Sequence, residues 1–211
     1  MHAITIGFFG FGRAGQEAVR EFMKEDGFHV SWVIRKSEKD KGKFASRLLG
    51  FETDQGRIFP ASDVNESFFK KNPVDMIIDF SSGEGVYEYA CGVKKGIAVI
   101  SAISNYKTTQ QKCLERLSRK AAILWSPNIT LGINFLLIAS QLLRKIAPHA
   151  DVEIVEEHFR NKKDVSGTAL KIAHVLELDR AHHINSIRVG GIVGRHEVVF
   201  GLPNQTVRLV H

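Results

Sequence analysis

At 211 residues, with 44% hydrophobic and 25% charged positions, the chain has the balance of an ordinary globular protein and can bury the core of one large domain or two modest ones. A formal net charge of +6 invites a nucleic-acid partner, but the densest basic run, Arg35-Lys36-Ser37-Glu38-Lys39-Asp40-Lys41-Gly42-Lys43, contains two acids and no aromatic residue on which a base would stack. Two cysteines, Cys91 and Cys113, fall in predicted helices away from metal-ligand spacing, no apolar run nears the roughly 18 residues needed to span a bilayer, and the N-terminus shows no secretory signal; the expectation is a cytoplasmic protein with free thiols, no membrane partner and no metal.

The chain opens on an apolar strand, Ala3-Ile4-Thr5-Ile6-Gly7-Phe8-Phe9, which runs into Gly10-Phe11-Gly12-Arg13-Ala14-Gly15. A helix follows, with apolar positions at Ala14, Ala18, Val19, Phe22 and Met23. Glycines spaced G-x-G-x-x-G between a strand and a helix form the context of a dinucleotide fingerprint. Gly10 allows the tight turn, Gly12 lets the backbone approach a pyrophosphate, and Gly15 lets helix and strand pack closely. A glycine-rich turn without a ligand is the competing account. The second strand, His29 to Ile34, ends in Arg35-Lys36, where an NAD-preferring site would carry Asp or Glu for the ribose hydroxyls. Arg35 can instead grip a 2′-phosphate through its fork, with Lys36 adding charge, so NADPH is expected ahead of NADH; a solvated basic loop is the alternative.

Asp63-Val64-Asn65-Glu66 has capping-box spacing and starts a short helix through Phe68 and Phe69. Val74 to Phe80 is a strand, followed by a Ser81-Ser82-Gly83-Glu84-Gly85 turn and a helix to about Lys95. Ile97 to Ile100 and Ala122 to Trp125 are short buried-strand runs on either side of a helix from about Thr108 to Lys120. This β-α alternation predicts a Rossmann-type, doubly wound parallel sheet over residues 1–127.

After Pro127-Asn128 the pattern changes. A helix from about Thr130 to Ala147 leads into an alternating strand, Val152-Glu153-Ile154-Val155, and onward to His158. A basic loop then reaches Ser166-Gly167-Thr168, just before a helix with apolar Ala169, Leu170, Ala173 and Leu176. Three further strands, Ile184 to Val189, Ile192 to Phe200 and Thr206 to Val210, are separated by Gly190-Gly191 and Leu202-Pro203-Asn204. Residues 128–211 therefore read as a smaller α+β domain with an open mixed sheet. Ser-Gly-Thr at a helix start offers backbone N–H groups, two hydroxyls and the positive end of the helix dipole, which suit an anion. Lys162 can supply charge to the same spot, and His158 can bind a carboxylate or move a proton. The plain alternative is a helix cap behind a solvated loop. His174, His182 and His183 lack such a context and read as surface residues.

A dinucleotide-type half joined to a half carrying His158-x-x-x-Lys162 and Ser166-Gly167-Thr168 resembles the dihydrodipicolinate reductase (4-hydroxy-tetrahydrodipicolinate reductase) family. That family's signature is similar to Glu-x-His-His-Arg-x-Lys-x-Asp-x-Pro-Ser-Gly-Thr-Ala, which stands here as Glu156 to Ala169. Gly12 to Gly15, Ile78-Asp79-Phe80-Ser81, Glu84-Gly85, Pro127 to Asn134 and Gly190 to Phe200 extend the likeness over nearly the whole chain. The resemblance implies an NAD(P)H-dependent reductase of a cyclic, imine-like dicarboxylate in lysine and diaminopimelate synthesis, assembled as a homotetramer through the sheets of its second domains. It also implies that Ser166, Gly167 and Thr168 hold a substrate carboxylate. His158 and Lys162 would be catalytic, with the proton-donor and carboxylate-ligand roles of His158 both open. The cofactor would be met by Gly10, Phe11, Gly12, Arg13, Ala14, Gly15, Arg35, Lys36, Phe80, Ser81, Ser101, Ala102 and Asn128.

The chain departs from the family in several places. The family's first fingerprint glycine falls on Phe9, its second signature histidine on Phe159, and its proline before Ser166 on Val165. Its Gly-Thr-Thr-Gly turn is Ser101-Ala102-Ile103-Ser104, and its closing Ser-Arg segment and helix lie beyond His211. Three other readings compete: a dinucleotide-binding regulatory protein of the same fold without catalysis, a non-catalytic interaction protein that binds no dinucleotide, and an amino-acid or diamine dehydrogenase running oxidatively.

Overall fold

Apolar β-branched and aromatic residues on both faces of the early strands require cover on both sides of a sheet. A computed structural model of the protein describes residues 3–93 and 96–211, which divide into two units, Met1–Pro127 and Asn128–His211. In the first, β1 (Ile4–Phe9), β2 (Phe28–Arg35), β3 (Arg57–Pro60), β4 (Met76–Asp79), β5 (Ala98–Ser101) and β6 (Ile123–Trp125) form a six-stranded parallel sheet in the order β3-β2-β1-β4-β5-β6. On one face Ile6, Phe8, Val30 and Ile58 pack with Val19 of α1 (Arg13–Phe22) and Ala45 of α2 (Ala45–Leu48). On the other, Phe9, Trp32, Ile34, Ile77 and Val99 pack against α3 (Glu66–Lys71), α4 (Gly85–Val93) and α5 (Thr108–Ser118).

The second face is an aromatic cluster centred on Trp32. Its ring meets Phe9, Phe68 and Phe69 edge-on at 5.2–6.0 Å, and its indole N–H donates to the Asn72 carbonyl at 3.1 Å. Gly7 is the register partner of Trp32 across β1 and β2, next to an irregularity in that pairing. A Cβ on Gly7 would lie 2.1 Å from the indole, so the ring occupies the space the glycine leaves.

Several elements differ from expectation. β3 carries Arg57 and Pro60 and has no apolar-polar alternation in its sequence; it lies at the end of the sheet order, where proline is tolerated, paired along β2 on one side and bridged at Arg57 and Ile58 to the Gly42-Phe44 segment on the other. The cap of α3 is Asn65, whose side chain accepts from the Phe68 N–H at 3.0 Å, whereas Asp63 closes a preceding 3-10 turn (Ala61–Asp63). The expected end of α4 near Lys95 lies outside the described residues.

In the second unit α6 (Leu131–Ile146) and α7 (Gly167–Val175) cover one face of a mixed sheet. Its strands are β7 (Asp151–His158), β8 (Ile184–Arg188), β9 (Arg195–Leu202) and β10 (Gln205–Val210), in the order β10-β9-β7-β8, and α8 (Arg180–His183) precedes β8. β7 runs parallel to β8 and antiparallel to β9. It carries His158 at its end, as expected, and both neighbours pair with its polar last residues. β9 starts three residues later than expected, since Gly190 (φ 53°) and Gly194 (φ 158°) turn the chain before Arg195. The uncovered face of the sheet carries ion pairs from Arg195 to Glu157 and Glu197, and from Arg208 to Glu197. On α6, Ile133 and Leu136 are buried, while Leu131, Phe135, Ile138, Leu142 and Ile146 lie exposed along a second stripe.

Replacing Gly7 with Ala should lower the free energy of unfolding by about 1–3 kcal/mol, the usual cost of overpacking a core. Denaturant titration of the variant checks it; a midpoint equal to the parent's would show that Trp32 yields its place freely.

Candidate functional site

The polar end of β7 builds the densest cluster of chemistry in the second unit. Glu156 is fully buried, opposite Ser186 on β8 and His196 on β9. Its carboxylate accepts two bonds from the Arg188 guanidinium at 2.9 and 2.5 Å, one from the Ser186 hydroxyl at 2.7 Å and one from the Ser166 N–H at 3.3 Å. Burial pushes its pKa up, but these bonds, led by Arg188, more than offset that and hold it at about 2. Arg188 also donates to the carbonyls of Lys162 and Asp164, both at 3.0 Å, and so shapes the basic loop.

His158, nearly buried, hydrogen-bonds Glu156 through Nδ1. Because the carboxylate is ionised, Nδ1 carries the proton and Nε2 is the nitrogen left for proton exchange. Nε2 faces Gly194, where a Cβ would lie 3.1 Å away. The His158 and His196 rings meet edge-on at 5.3 Å. His196 is lowered to about 4, mainly by burial and then by His158, so it is neutral at pH 7. Its Nε2 pairs with the Ser166 hydroxyl at 2.7 Å, and its Nδ1 is buried without a partner.

Ser166 caps α7, its hydroxyl accepting from the Thr168 N–H at 3.2 Å. That hydroxyl is buried between the cap and His196, while Gly167 is exposed and the Thr168 hydroxyl donates to Asn128 Oδ1 at 3.0 Å. His158, Ser166 and Thr168 thus converge around the start of α7, with Lys162 half-exposed on the loop that Arg188 braces. Asn128 joins this group through Thr168. Phe159 is 45% exposed. His174 and His182 are exposed; His183 is half-buried with Nδ1 3.0 Å from the Val152 carbonyl. Among the described residues no group of His, Cys, Asp or Glu is placed to hold a metal. The roles of Glu156, Ser186, Arg188 and His196 were not read from the sequence. The strand-period spacing of Glu156 and His158 was the available signal, but pairing to β8 and β9 is a tertiary fact.

In the first unit, a cavity of about 500 Å³ opens where the strand order reverses between β1 and β4, which is where doubly wound sheets bind ligands. Gly10, Phe11, Gly12, Arg35, Lys36, Phe80 and Ser81 line it. Gly10 adopts φ 92°, and a Cβ there would lie 2.6 Å from the Phe80 backbone. Gly15 admits no Cβ beside the Gly10 carbonyl, 2.2 Å away, whereas Gly12 faces open space. The N-terminus of α1 and this open glycine fit a dinucleotide's phosphates. Arg13 and Ala14 are exposed on the first turn of α1.

Ser101 and Ala102 do not line that cavity. Ser101 is buried, its hydroxyl 2.8 Å from the Tyr106 hydroxyl, which donates to Asp79 at 3.2 Å and lies 3.1 Å from Tyr89. The Ala102 N–H donates to the Asp79 carbonyl at 2.9 Å. Burial raises the Asp79 pKa against the opposing hydrogen bonds of Ser81 and Tyr106; burial and the Asp79 charge push Tyr106 up to about 12. Phe9, where the family has glycine, is fully buried against Trp32 and Tyr89.

A doubly wound sheet with a glycine-rich turn at its reversal, followed by an α+β unit with a Glu156-His158-Arg188 cluster, defines a two-domain α/β architecture whose first unit has the form of a dinucleotide-binding domain. Residues 4–129 match the sequence pattern of "Dihydrodipicolinate reductase, N-terminus", and residues 130–211 that of "Dihydrodipicolinate reductase, C-terminus". The chain belongs to the dihydrodipicolinate reductase family. It is 27% identical over 230 residues to a 4-hydroxy-tetrahydrodipicolinate reductase from Buchnera aphidicola subsp. Acyrthosiphon pisum, covering 95% of this chain and 82% of the relative. It is 34% identical over 176 residues to the reductase of that name from Caldanaerobacter subterraneus subsp. tengcongensis, covering 72% of this chain and 69% of the relative. Its fold is similar to that of a dipicolinate-bound dihydrodipicolinate reductase from Paenisporosarcina sp. TG-14, with a TM-score of 0.72 and 24% identity over all of this chain and 88% of that one. Among the described residues no helix is long and apolar enough to cross a membrane.

Acid should destabilise the second unit in two stages. His196 has a folded pKa near 4 against an ordinary 6.5, so its contribution is complete above about pH 6.5 and is lost as pH falls toward 4. Glu156, near 2 against 4.5, contributes fully above about pH 4.5, a contribution lost as pH falls toward 2. Each is worth on the order of 3 kcal/mol at full extent. Urea midpoints followed by circular dichroism at pH 7.5, 5 and 3.5 should fall in turn, and His196→Gln should abolish the first fall.

Proposed function

We propose that this protein is an NADPH-preferring reductase of a cyclic, imine-like dicarboxylate, 4-hydroxy-tetrahydrodipicolinate, acting in the cytoplasm in lysine and diaminopimelate synthesis. The observation that carries the reading is the Glu156-His158 pair beside the Ser166-Gly167-Thr168 turn and Lys162, in a chain whose relatives bear that enzyme's name. Reduced nicotinamide, when bound, supplies the hydride. Gly10, Phe11, Gly12, Arg35, Lys36, Phe80 and Ser81 hold and orient that cofactor, with Arg13, Ala14 and Gly15 forming the first turn of α1. Ser101, Ala102 and Asn128 act by shaping neighbouring backbone, since Ser101 faces Tyr106 and Asn128 holds Thr168.

In the second unit the start of α7 takes one substrate carboxylate, chiefly through the backbone around the exposed Gly167, and Lys162 offsets the remaining negative charge. His158 exchanges a proton at Nε2, and Glu156 fixes the orientation of the imidazole. Phe159 offers no donor where the family has a second histidine, which lowers substrate affinity. The uncovered sheet of the second unit is where copies of the chain associate. A second reading, a dinucleotide-binding protein without turnover, is favoured by the buried, hydrogen-bonded state of Ser101 at the turn that departs from the family.

Lys162→Ala and His158→Gln should each lower turnover by about one to two powers of ten, the worth of one charge-assisted hydrogen bond, while NADPH affinity stays within about twofold. Parallel cofactor titrations and reductase assays of parent and variants check this. Equal turnover in all three removes the site assignment, and cofactor binding without turnover in the parent selects the second reading. Light scattering at micromolar concentration should show an oligomer; a stable monomer counts against association through the sheet.

A further inference from the structure

At the end of β2, Arg35 stands on the wall of the first unit's cavity, its guanidinium carbon 5.6 Å from the centre of the Phe11 ring. It is not free there. Its Nη1 donates to Asp40 Oδ2 at 2.7 Å, and the two side chains are only 19% and 14% exposed. Asp40 reaches this position because its backbone takes φ 62°, a conformation that Asp and Asn tolerate better than other side chains. The loop that presents it is tied down at several points. The Gly42 N–H donates to the Ile58 carbonyl at 2.9 Å, Lys41 pairs with Glu38 and Asp63 at 3.2 Å, and Lys43 pairs with Asp40 at 3.0 Å. Asp40 is therefore a fixed counter-charge on the one arginine at the strand end that reads the cofactor's ribose.

We propose that Asp40 sets the nucleotide preference of this protein, by holding Arg35 against Phe11 and competing with a 2′-phosphate for its fork. The inference rests on the reading of the first unit as a nicotinamide dinucleotide site. A 2′-phosphate is dianionic, and to be gripped by Arg35 it has to come close to the Asp40 carboxylate, a like-charge juxtaposition that weakens the contact. A ribose 2′-hydroxyl carries no charge and meets no such opposition. Lys36, exposed on the same rim, attracts the phosphate without this restraint, so NADPH is still preferred, but by a small margin. Lys43 and then Arg35 keep the Asp40 carboxyl below the usual carboxylate range, so the opposition is present throughout neutral pH.

The test is equilibrium binding of NADPH and NADH, read by cofactor fluorescence at low ionic strength, to the parent, Asp40→Asn, Arg35→Ala and the double variant. Asparagine keeps the size of Asp40 and its tolerance of positive φ, so the loop is preserved. Asp40→Asn should tighten NADPH about tenfold and leave NADH within about twofold, and this gain should vanish when Arg35 is also Ala. An unchanged affinity ratio in Asp40→Asn overturns the proposal. So does a gain that survives without Arg35, since the effect would then be one of overall charge. A parent that binds neither nucleotide rejects the dinucleotide reading itself and the proposal with it, whereas a parent that binds both and ignores Asp40→Asn rejects the proposal alone.

Discussion

The bidentate pair between Glu156 and Arg188 is the constraint on which the second unit's chemistry depends. A fully buried carboxylate is costly to desolvate, and only near-complete satisfaction of its oxygens makes it tolerable. Arg188, Ser186, His158 and the Ser166 N–H supply that satisfaction from a neighbouring strand, from β7 itself and from the start of α7. The pair therefore locks the β7–β8 register, the tautomer of His158 and the position of the α7 cap together. The remaining Arg188 donors reach the loop carbonyls of Lys162 and Asp164, so the most mobile kind of segment, a charged loop, is braced by the same residue.

Such a network divides labour between charge and neutrality. Glu156 stays ionised where burial alone would neutralise it, and His196 stays neutral where water would allow it to charge. The first unit contains the reverse case in Asp79, whose burial raises its pKa and whose partners are hydroxyls and the Ser81 N–H rather than a cation. Tyr106, Tyr89 and Ser101 there form a chain of neutral donors on the inner side of the turn after β5. The serine at that turn is thus absorbed into the core.

Much of the architecture was legible because it rests on local patterns. The glycines at 10 and 15 do what their spacing implies, one bending the chain and one admitting close packing, and Gly12 faces open space. The strand alternation and the Ser166 cap were equally readable. What escaped was decided by pairing across the chain. β3 has no apolar-polar alternation of its own and forms because β2 and the Gly42-Phe44 segment pair with it. The bond from the Thr168 hydroxyl to Asn128 joins residues 40 positions apart and was likewise outside any local pattern. Arg188 and His196 stand 32 and 40 residues beyond Glu156, and no spacing rule connects them to it.

The exposed stripe along α6 has a bearing on how the protein behaves in bulk solution. Leu131, Phe135, Ile138, Leu142 and Ile146 recur every three or four residues and present a dry ridge to water, with no acid anywhere on the helix. Like charge on separate molecules, +6 on each, is what opposes sticking along that ridge. Added salt shortens the reach of this repulsion to a few ångströms at molar strength, and strongly hydrated anions at the same time drive apolar surface together. Ionic strength, acting on colloidal repulsion, thereby becomes a control on whether this chain stays dispersed.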